Sequence, residues 1–353
     1  MISIIIPTYN RCLQLEETLS SFKKIQVNST LYEILIIDNG SKDSTYEVYE
    51  NFKKSHNHIN IRYFYDDIPG LLTGRHKGAK EAIGDILTFI DDDVIINDLW
   101  LESIIKIMNN RQDVSLLTGP NLPKYESKPP LWLNYFWDKT IYGGKMCAWL
   151  SLLDLNVDET YIHPNYVWGL NFTIRKSVFI MLGGFHPDNI SPEFQMFQGD
   201  GETGLTMKAF LNGYKALYNK NVMLHHQIPE NRLTLDYFDK RAFYEGVCNS
   251  FSDLRNNHLK NELPSKIISS NNIFNKLKRR LNILNFSLLN LIMKKKYNKR
   301  FELKRLEGYT FHKEMFETNP RVNKWVLKKD FFEYNFNEIR EKIEVSINEY
   351  INT

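Results

Sequence analysis

Three consecutive carboxylates, Asp91, Asp92 and Asp93, follow directly on the apolar run Ile86-Leu87-Thr88-Phe89-Ile90, and Val94-Ile95-Ile96 turns apolar again. A short apolar run with no polar face is the pattern of a strand buried on both sides, as in a parallel sheet. Adjacent acids at the end of such a strand repel one another and hold protons more tightly unless a cation sits among them. In an open α/β sheet the carboxyl ends of the strands are where ligands bind. Hard divalent cations take carboxylate oxygens, usually one or two of them together with substrate phosphates. The chemistry these residues suit is capture of a metal–diphosphate. The competing reading is a solvated acidic turn that caps the next helix.

The elements that must position the acids are short and alternate. Ile2–Ile6 reads as a buried strand closed by Pro7-Thr8-Tyr9-Asn10, followed by a helix with Leu15, Leu19 and Phe22 on one face. Tyr32–Ile37 is a second strand, closed by Asp38-Asn39-Gly40-Ser41, and Lys42-Asp43-Ser44-Thr45 opens another helix with capping chemistry. Ile59–Phe64 alternates as a third strand, and Gly74–Ile83 is a helix that feeds the strand before the acids. Strand and helix alternating through short connections predict a doubly wound, mainly parallel sheet. Pro7–Asn10, Asp38 and Asp91–Asp93 then all fall at strand ends.

The totals exclude several classes. With 353 residues, 42% hydrophobic and 25% charged, the chain can bury one large or two ordinary cores. A net charge of +3 makes no case for nucleic acid. Cys12, Cys147 and Cys248 have neither disulfide nor zinc spacing, which suits a reducing cytosol. The apolar start lacks a basic region and a cleavage site, so it is expected to be a first strand rather than a leader. No stretch approaches the roughly 20 apolar residues of a membrane span, and no repeat of 20–50 residues is apparent.

Four motifs in order, Ser3–Arg11 (SIIIPTYNR), Ile36–Thr45 (IIDNGSKDST), Gly74–Ala79 (GRHKGA) and Phe89–Asp93 (FIDDD), resemble the family 2 glycosyltransferases with the GT-A fold. One such motif is weak, since Asp-x-Asp is common by chance; four in register are specific. The similarity covers about residues 1 to 250. It implies a GT-A α/β fold, a nucleotide-diphospho-sugar donor and a divalent cation, Mn²⁺ or Mg²⁺. It also implies inverting transfer to a hydroxyl of a glycan or lipid-linked glycan in surface polysaccharide or glycoconjugate synthesis.

Carried over by position, the resemblance places Pro7, Thr8, Tyr9 and Asp38 around the base and ribose. Asp38 would accept from a base N–H, which suits uracil or thymine better than a purine, with a UDP-sugar the expected donor. Arg75 takes the place of the arginine near the diphosphate, where a guanidinium fork can hold phosphate oxygens. Asp93 would bind the metal and Asp91 the ribose or a metal-bound water, with Asp92 beside them on the donor. The family's helix-start acids, usually Glu-Asp, correspond to Gly199-Asp200-Gly201-Glu202, a departure that leaves the general base open between two residues. Counting back from Gly213-Tyr214 favours Glu202, with Asp200 orienting the acceptor or the loop. His226 in His225-His226-Gln227-Ile228-Pro229 corresponds to a histidine that completes the metal site in several relatives, and such a histidine at a strand end is otherwise structural. Arg241, in what looks like a family helix, could face the diphosphate.

Three regions follow: a nucleotide-sugar half at 1–119, an acceptor half carrying the base at 120–254, and a helical extension at 255–353. Residues 120–167 are rich in proline and aromatics, among them Trp132, Trp137, Trp149 and Tyr166, which suits either an acceptor platform or the packing of a small subdomain. Residues 276–300 hold an apolar helix bracketed by basic clusters. It suits an anionic membrane surface, and equally a helix packed on the protein with its charges in water. The expected location is the cytoplasm, with the inner face of the cell membrane as the place of such contact. A dinucleotide-dependent dehydrogenase would need G-x-G-x-x-G after the first strand, where Pro7-Thr8-Tyr9-Asn10 stands. A processive polysaccharide synthase would need membrane spans and a Gln-x-x-Arg-Trp motif, and the sequence has neither. A non-catalytic sugar-nucleotide-binding assembly protein is the alternative from another class.

Overall fold

The computed structural model describes residues 1–67, 70–190, 192–262 and 288–332. Among these the chain forms two compact units, one of residues 1–193, 201–230 and 329–332, the other of 194–200 and 231–328.

The first unit opens with β1 (Ile2–Thr8), α1 (Cys12–Ser21), β2 (Tyr32–Asp38), α2 (Thr45–Ser55), β3 (Ile61–Tyr65), α3 (Leu71–Glu81) and β4 (Ile86–Ile90). Every residue of β1, β2 and β4 is buried. The unbroken apolar runs have a simple cause: side chains alternate between the two faces of the sheet, and both faces are covered. Ile4 and Ile6 join Leu15, Leu19 and Phe22 in one core, while Ile5 joins Leu35, Ile37 and Ala79 in the other. The expected strands and helices of this half are present.

The chain continues through β5 (Val94–Ile96), α4 (Trp100–Asn110), β6 (Val114–Thr118), β7 (Asn121–Tyr125), β8 (Asp138–Lys139), β9 (Lys145–Cys147), β10 (Leu152–Asp154) and β11 (Glu159–Ile162). Then come β12 (Asn171–Arg175), α5 (Lys176–Met181), α6 (Glu202–Leu211), β13 (Lys215–Asn219) and β14 (Leu224–Ile228). An eight-stranded sheet runs β11-β13-β6-β12-β4-β1-β2-β3. Pairing is parallel among β3, β2, β1 and β4 and between β6 and β13. β12 is antiparallel to both β4 and β6, and β11 to β13, so the sheet is mixed beyond the nucleotide half. β12 follows the short strands β7–β11 rather than a crossover helix, and an antiparallel entry needs no crossover.

The second sheet, β5-β14-β7-β10-β9-β8, has no counterpart in the sequence reading. It corrects the placing of His225 and His226, expected at a strand end. They lie inside β14, where Leu224, His226 and Ile228 point inward by simple alternation. The aromatics of 120–167 divide between both expected uses. Tyr166 packs in the core with Tyr142 edge-on to it, whereas Tyr125 and Trp137 line a cavity of about 430 Å³ with Leu122, Pro123, Leu133 and Asp154.

The second unit is helical: α7 (Leu235–Glu262), α8 (Leu288–Thr318) and α9 (Pro320–Val326). Arg300 pairs with Asp239 and Arg305 with Glu245 across α7 and α8. Of the expected 276–300 membrane segment, 276–287 lies outside the described residues; Lys295, Lys296 and Lys299 on α8 are solvent-exposed. Residues 333–353 also lie outside. No helix among the described residues is long and apolar enough to cross a membrane. The three cysteines are free thiols.

α3 is tied to the first unit's core by His76, whose Nε2 accepts from the Phe185 N–H at 3.0 Å. Burial, aided by Lys80, lowers the imidazole from 6.5 to about 3. The unfolded chain therefore takes up this proton first as pH falls. The stability held by neutral His76 should be complete above pH 6.5 and decline from there towards pH 3. His76→Phe, which strands the Phe185 N–H, should cost about 1–3 kcal/mol at neutral pH. It should also flatten the acid slope of the urea midpoint; an unchanged slope would show that other groups carry it.

Candidate active site

The register between β1 and β4, Ile5 beside Phe89, continues to set Thr8 beside Asp92. The Thr8 hydroxyl donates to Asp92 Oδ2 at 2.8 Å, and Thr18 of α1 donates to the Asp92 carbonyl at 2.7 Å. Arg11, at the start of α1, reaches the same turn. Its Nη1 donates to Asp92 Oδ1 at 2.7 Å and its Nη2 to Asp93 Oδ2 at 2.6 Å. Asp92 is 3% exposed and Asp93 1%. Burial and the neighbouring acids raise the Asp92 carboxyl to about 7, although Arg11 pulls it down; the same contacts raise Arg11. On Asp92 the loss of water outweighs the ion pair. Asp92, expected on the donor, makes these contacts with Thr8 and Arg11.

Asp93 Oδ2 also lies 3.5 Å from His226 Nε2. The other ring nitrogen of His226 is 2.9 Å from the Leu150 carbonyl. A carbonyl only accepts, so Nδ1 carries the proton and Nε2 presents a lone pair towards Asp93 in the neutral ring. That is the tautomer a metal-ligating histidine needs, fixed by a backbone partner. Asp91 does not join them: it turns to Arg75 Nη2 at 3.1 Å. Among the described residues no three His, Cys, Asp or Glu side chains converge as a metal cage. A carboxylate and an imidazole fit a divalent cation that completes its shell on phosphate oxygens and water, although Arg11 already occupies the same carboxylate oxygen.

Arg75 is 3% exposed and connects the two acidic regions. Besides Asp91, its Nη1 stands 3.9 Å from Glu202 Oε2, and its guanidinium lies over the Phe185 ring at 5.2 Å. Gly169 makes room for it, since a Cβ there would stand 2.2 Å from Arg75 Nη2. α3 itself approaches β1 closely because residue 74 is glycine; a Cβ would meet Asn39 Oδ1 at 2.4 Å and Pro7 Cβ at 2.9 Å.

Glu202 is the first residue of α6, with its side chain 25% exposed and its Oε1 accepting from the Gly169 N–H at 3.4 Å. Burial, then Asp188, raise its carboxyl above the ordinary range, and Arg75 opposes them. Asp200 belongs to the helical unit, where it accepts from the Ser252 hydroxyl. Arg241 lies in α7 of that unit.

Asp38 is buried at the end of β2 and accepts from the Ser41 N–H at 2.7 Å and the Tyr63 hydroxyl at 2.5 Å. Pro7 and Thr8 are buried, whereas Tyr9 is 51% exposed. Sequence reading gave no role to Arg11, Asp188, Tyr63 or Gly169. A motif names Arg11 without saying that it reaches acids 81 and 82 residues away.

Residues 3–149 match Glycosyl transferase family 2. A glucosyl-dolichyl phosphate glucuronosyltransferase of Haloferax volcanii is 24% identical over 262 residues, 72% of this chain and 77% of that protein. A validoxylamine A glucosyltransferase of Streptomyces hygroscopicus subsp. jinggangensis is 22% identical over 203 residues, 53% of this chain, which spans 47% of that relative's length. A mannosyltransferase structure from Pyrobaculum calidifontis, in complex with GDP-Man and Mn²⁺, superposes with a TM-score of 0.55 at 14% identity, covering 93% of this chain and 83% of that one. The fold is the GT-A glycosyltransferase fold.

Because Arg75 holds the Glu202 carboxyl down against burial and Asp188, Arg75→Met should raise the Glu202 titration midpoint. Side-chain carboxyl NMR of a glutamate-labelled sample would read the shift. A midpoint that stays in place would mean that Arg75 does not act on Glu202.

Proposed function

We propose that this glycosyltransferase, whose residues 3–149 belong to glycosyl transferase family 2, moves a sugar from a UDP-sugar to a hydroxyl of a glycan or lipid-linked glycan, with inversion. The observation that carries the reading is Arg75, one buried guanidinium between Asp91 and Glu202, at 3.1 and 3.9 Å. It brings the end of the central strand and the start of α6 to a single charge. Residues 1–119 hold the donor in this reading, and 120–254 present the acceptor and the base.

The chemistry follows from two acidic regions with different surroundings. Glu202, lifted by burial and by Asp188, is a stronger base than a free carboxylate, and Arg75 opposes that rise. It takes the proton of the acceptor hydroxyl as that oxygen bonds to the anomeric carbon. The bond from that carbon to the diphosphate breaks on the opposite face, and its electron pair leaves with the diphosphate. Asp93 and His226 would hold Mn²⁺ or Mg²⁺, which when bound neutralises charge on the leaving diphosphate. Arg75 contributes fixed positive charge beside the departing group. Asp38, held by Tyr63 and Ser41, accepts from the uracil N–H, and Tyr9 stands open towards the base. The name of the Haloferax relative, which describes a dolichyl-phosphate-linked glucose, supports a lipid-linked acceptor. Residues 276–300 are the part of the chain suited to meet the membrane that carries it.

Glu202→Gln should lower transfer by about 10²–10⁴-fold while donor affinity stays nearly unchanged. The measurement is nucleotide diphosphate released from a panel of sugar nucleotides, with and without Mn²⁺. Full turnover by Glu202→Gln would move the base to Asp200. Absence of any release from the wild type would leave the non-catalytic sugar-nucleotide-binding alternative.

A further inference from the structure

The Asn10–Cys12 turn is held rigidly. Asn10 adopts a left-handed backbone, φ 52°. Its N–H donates to Ser41 Oγ at 2.9 Å, the Lys42 N–H to Asn10 Oδ1 at 2.7 Å, and the Cys12 N–H to Asp43 Oδ2 at 2.9 Å. Asparagine enters the left-handed region more readily than other non-glycine residues, but holding it in one conformer there takes local bonds. Those three bonds supply that, and their effect is to aim Arg11 at the acidic turn.

There the guanidinium spans two carboxylates with two nitrogens. The oxygen it shares with the metal donor set is Asp93 Oδ2, which His226 Nε2 faces at 3.5 Å. A divalent cation binding at that pair would meet a positive charge already on the same oxygen. Unlike Asp92 and Asp93, the Arg11 side chain is 30% exposed, so one flank is open to an incoming anion. A guanidinium fork suits phosphate oxygens as well as carboxylate.

We propose that Arg11 makes cation capture by the acidic turn conditional on a bound diphosphate. Without donor, Arg11 offsets part of the charge of Asp92 and Asp93 and repels a second cation. With donor, the diphosphate adds enough negative charge for guanidinium and metal to be held together. Cation and nucleotide then bind as a coupled pair, and the acids do not take up metal from solution alone. This rests on the metal-dependent reading above. It adds an ordering that the reading does not require, since a simple acidic site would bind the cation first.

The test is Mn²⁺ affinity of the full chain, read from the EPR signal of free Mn²⁺, with and without UDP, for the wild type, Arg11→Met and Arg11→Lys. In the wild type UDP should tighten Mn²⁺ by about tenfold or more, within the usual range of coupling between sites. Arg11→Met should bind Mn²⁺ alone about tenfold more tightly than the wild type, leaving only the smaller UDP effect that phosphate ligation of the cation gives by itself. Arg11→Lys keeps the charge but cannot bridge both carboxylates, and should fall between. The metal-free melting temperature of Arg11→Met should drop and recover with Mn²⁺ alone. Unchanged or weaker Mn²⁺ binding by Arg11→Met would make Arg11 a scaffold and overturn the proposal. If Arg11→Met does not fold, the wild type decides, since Mn²⁺ binding that ignores UDP overturns it equally. No Mn²⁺ binding by any form, with or without UDP, would instead bring down the metal-dependent reading and this proposal with it.

Discussion

A carboxylate taken out of water needs a counter-charge close by, and this chain takes Asp92 and Asp93 almost wholly out of water at the end of one strand. Two guanidiniums answer that demand from different elements. Arg11 comes from the start of α1 and bridges both acids; Arg75 comes from α3 and holds the more open Asp91. The backbone around them reads as support for this pairing. Asn10 adopts a left-handed φ, Gly74 lets α3 approach Pro7 and Asn39, and Gly169 leaves space where Arg75 lies. Breaking a buried pair by removing one partner leaves an uncompensated charge, which costs far more than the pair contributes when whole.

The acidic turn is also where the chain changes sheets. β4 belongs to the eight-stranded sheet and β5 to the second, so Asp91–Asp93 lie between them. The first sheet supplies Thr8 beside Asp92, with Arg11 on the connection that follows β1. The second supplies His226 through β14, which pairs with β5 at Val94. A cavity lined partly by Pro123 on β7 lies one strand beyond His226, since β14 pairs His226 with Pro123. Neighbouring strands are about 4.8 Å apart, so the turn, the histidine and the aromatic cavity follow one another across a short span.

The acids have unlike surroundings, and this gives them unlike chemistry. Asp92 bonds Thr8 and Arg11 inside the protein, and burial raises its carboxyl to about 7. Asp93 adjoins an imidazole whose tautomer is set by a backbone carbonyl. Glu202 is raised by burial and Asp188 but keeps one side towards Arg75 and a quarter of its surface in solvent. The separation of roles comes from packing, since all three are ordinary carboxylic acids.

The amino-acid pattern alone determined the strands and helices of the nucleotide half, because a run such as Ile2–Ile6 or Ile86–Ile90 has no stable place except a strand covered on both faces. It also singled out Asp91–Asp93, Asp38 and Arg75 through motifs that combine a strand end with a polar turn. Local pattern carries no information on which distant segment lies alongside. The second sheet was therefore invisible, and with it the interior position of His226 in β14. The reach of Arg11 to Asp92 and Asp93 depends on β1 pairing with β4, two elements separated by three helices and two strands. Asp188 beside Glu202 depends likewise on how a loop packs against the start of α6. Covalent neighbours decide whether a residue sits on a strand, but which charge faces which is settled only when non-local pairing brings them within a few ångströms.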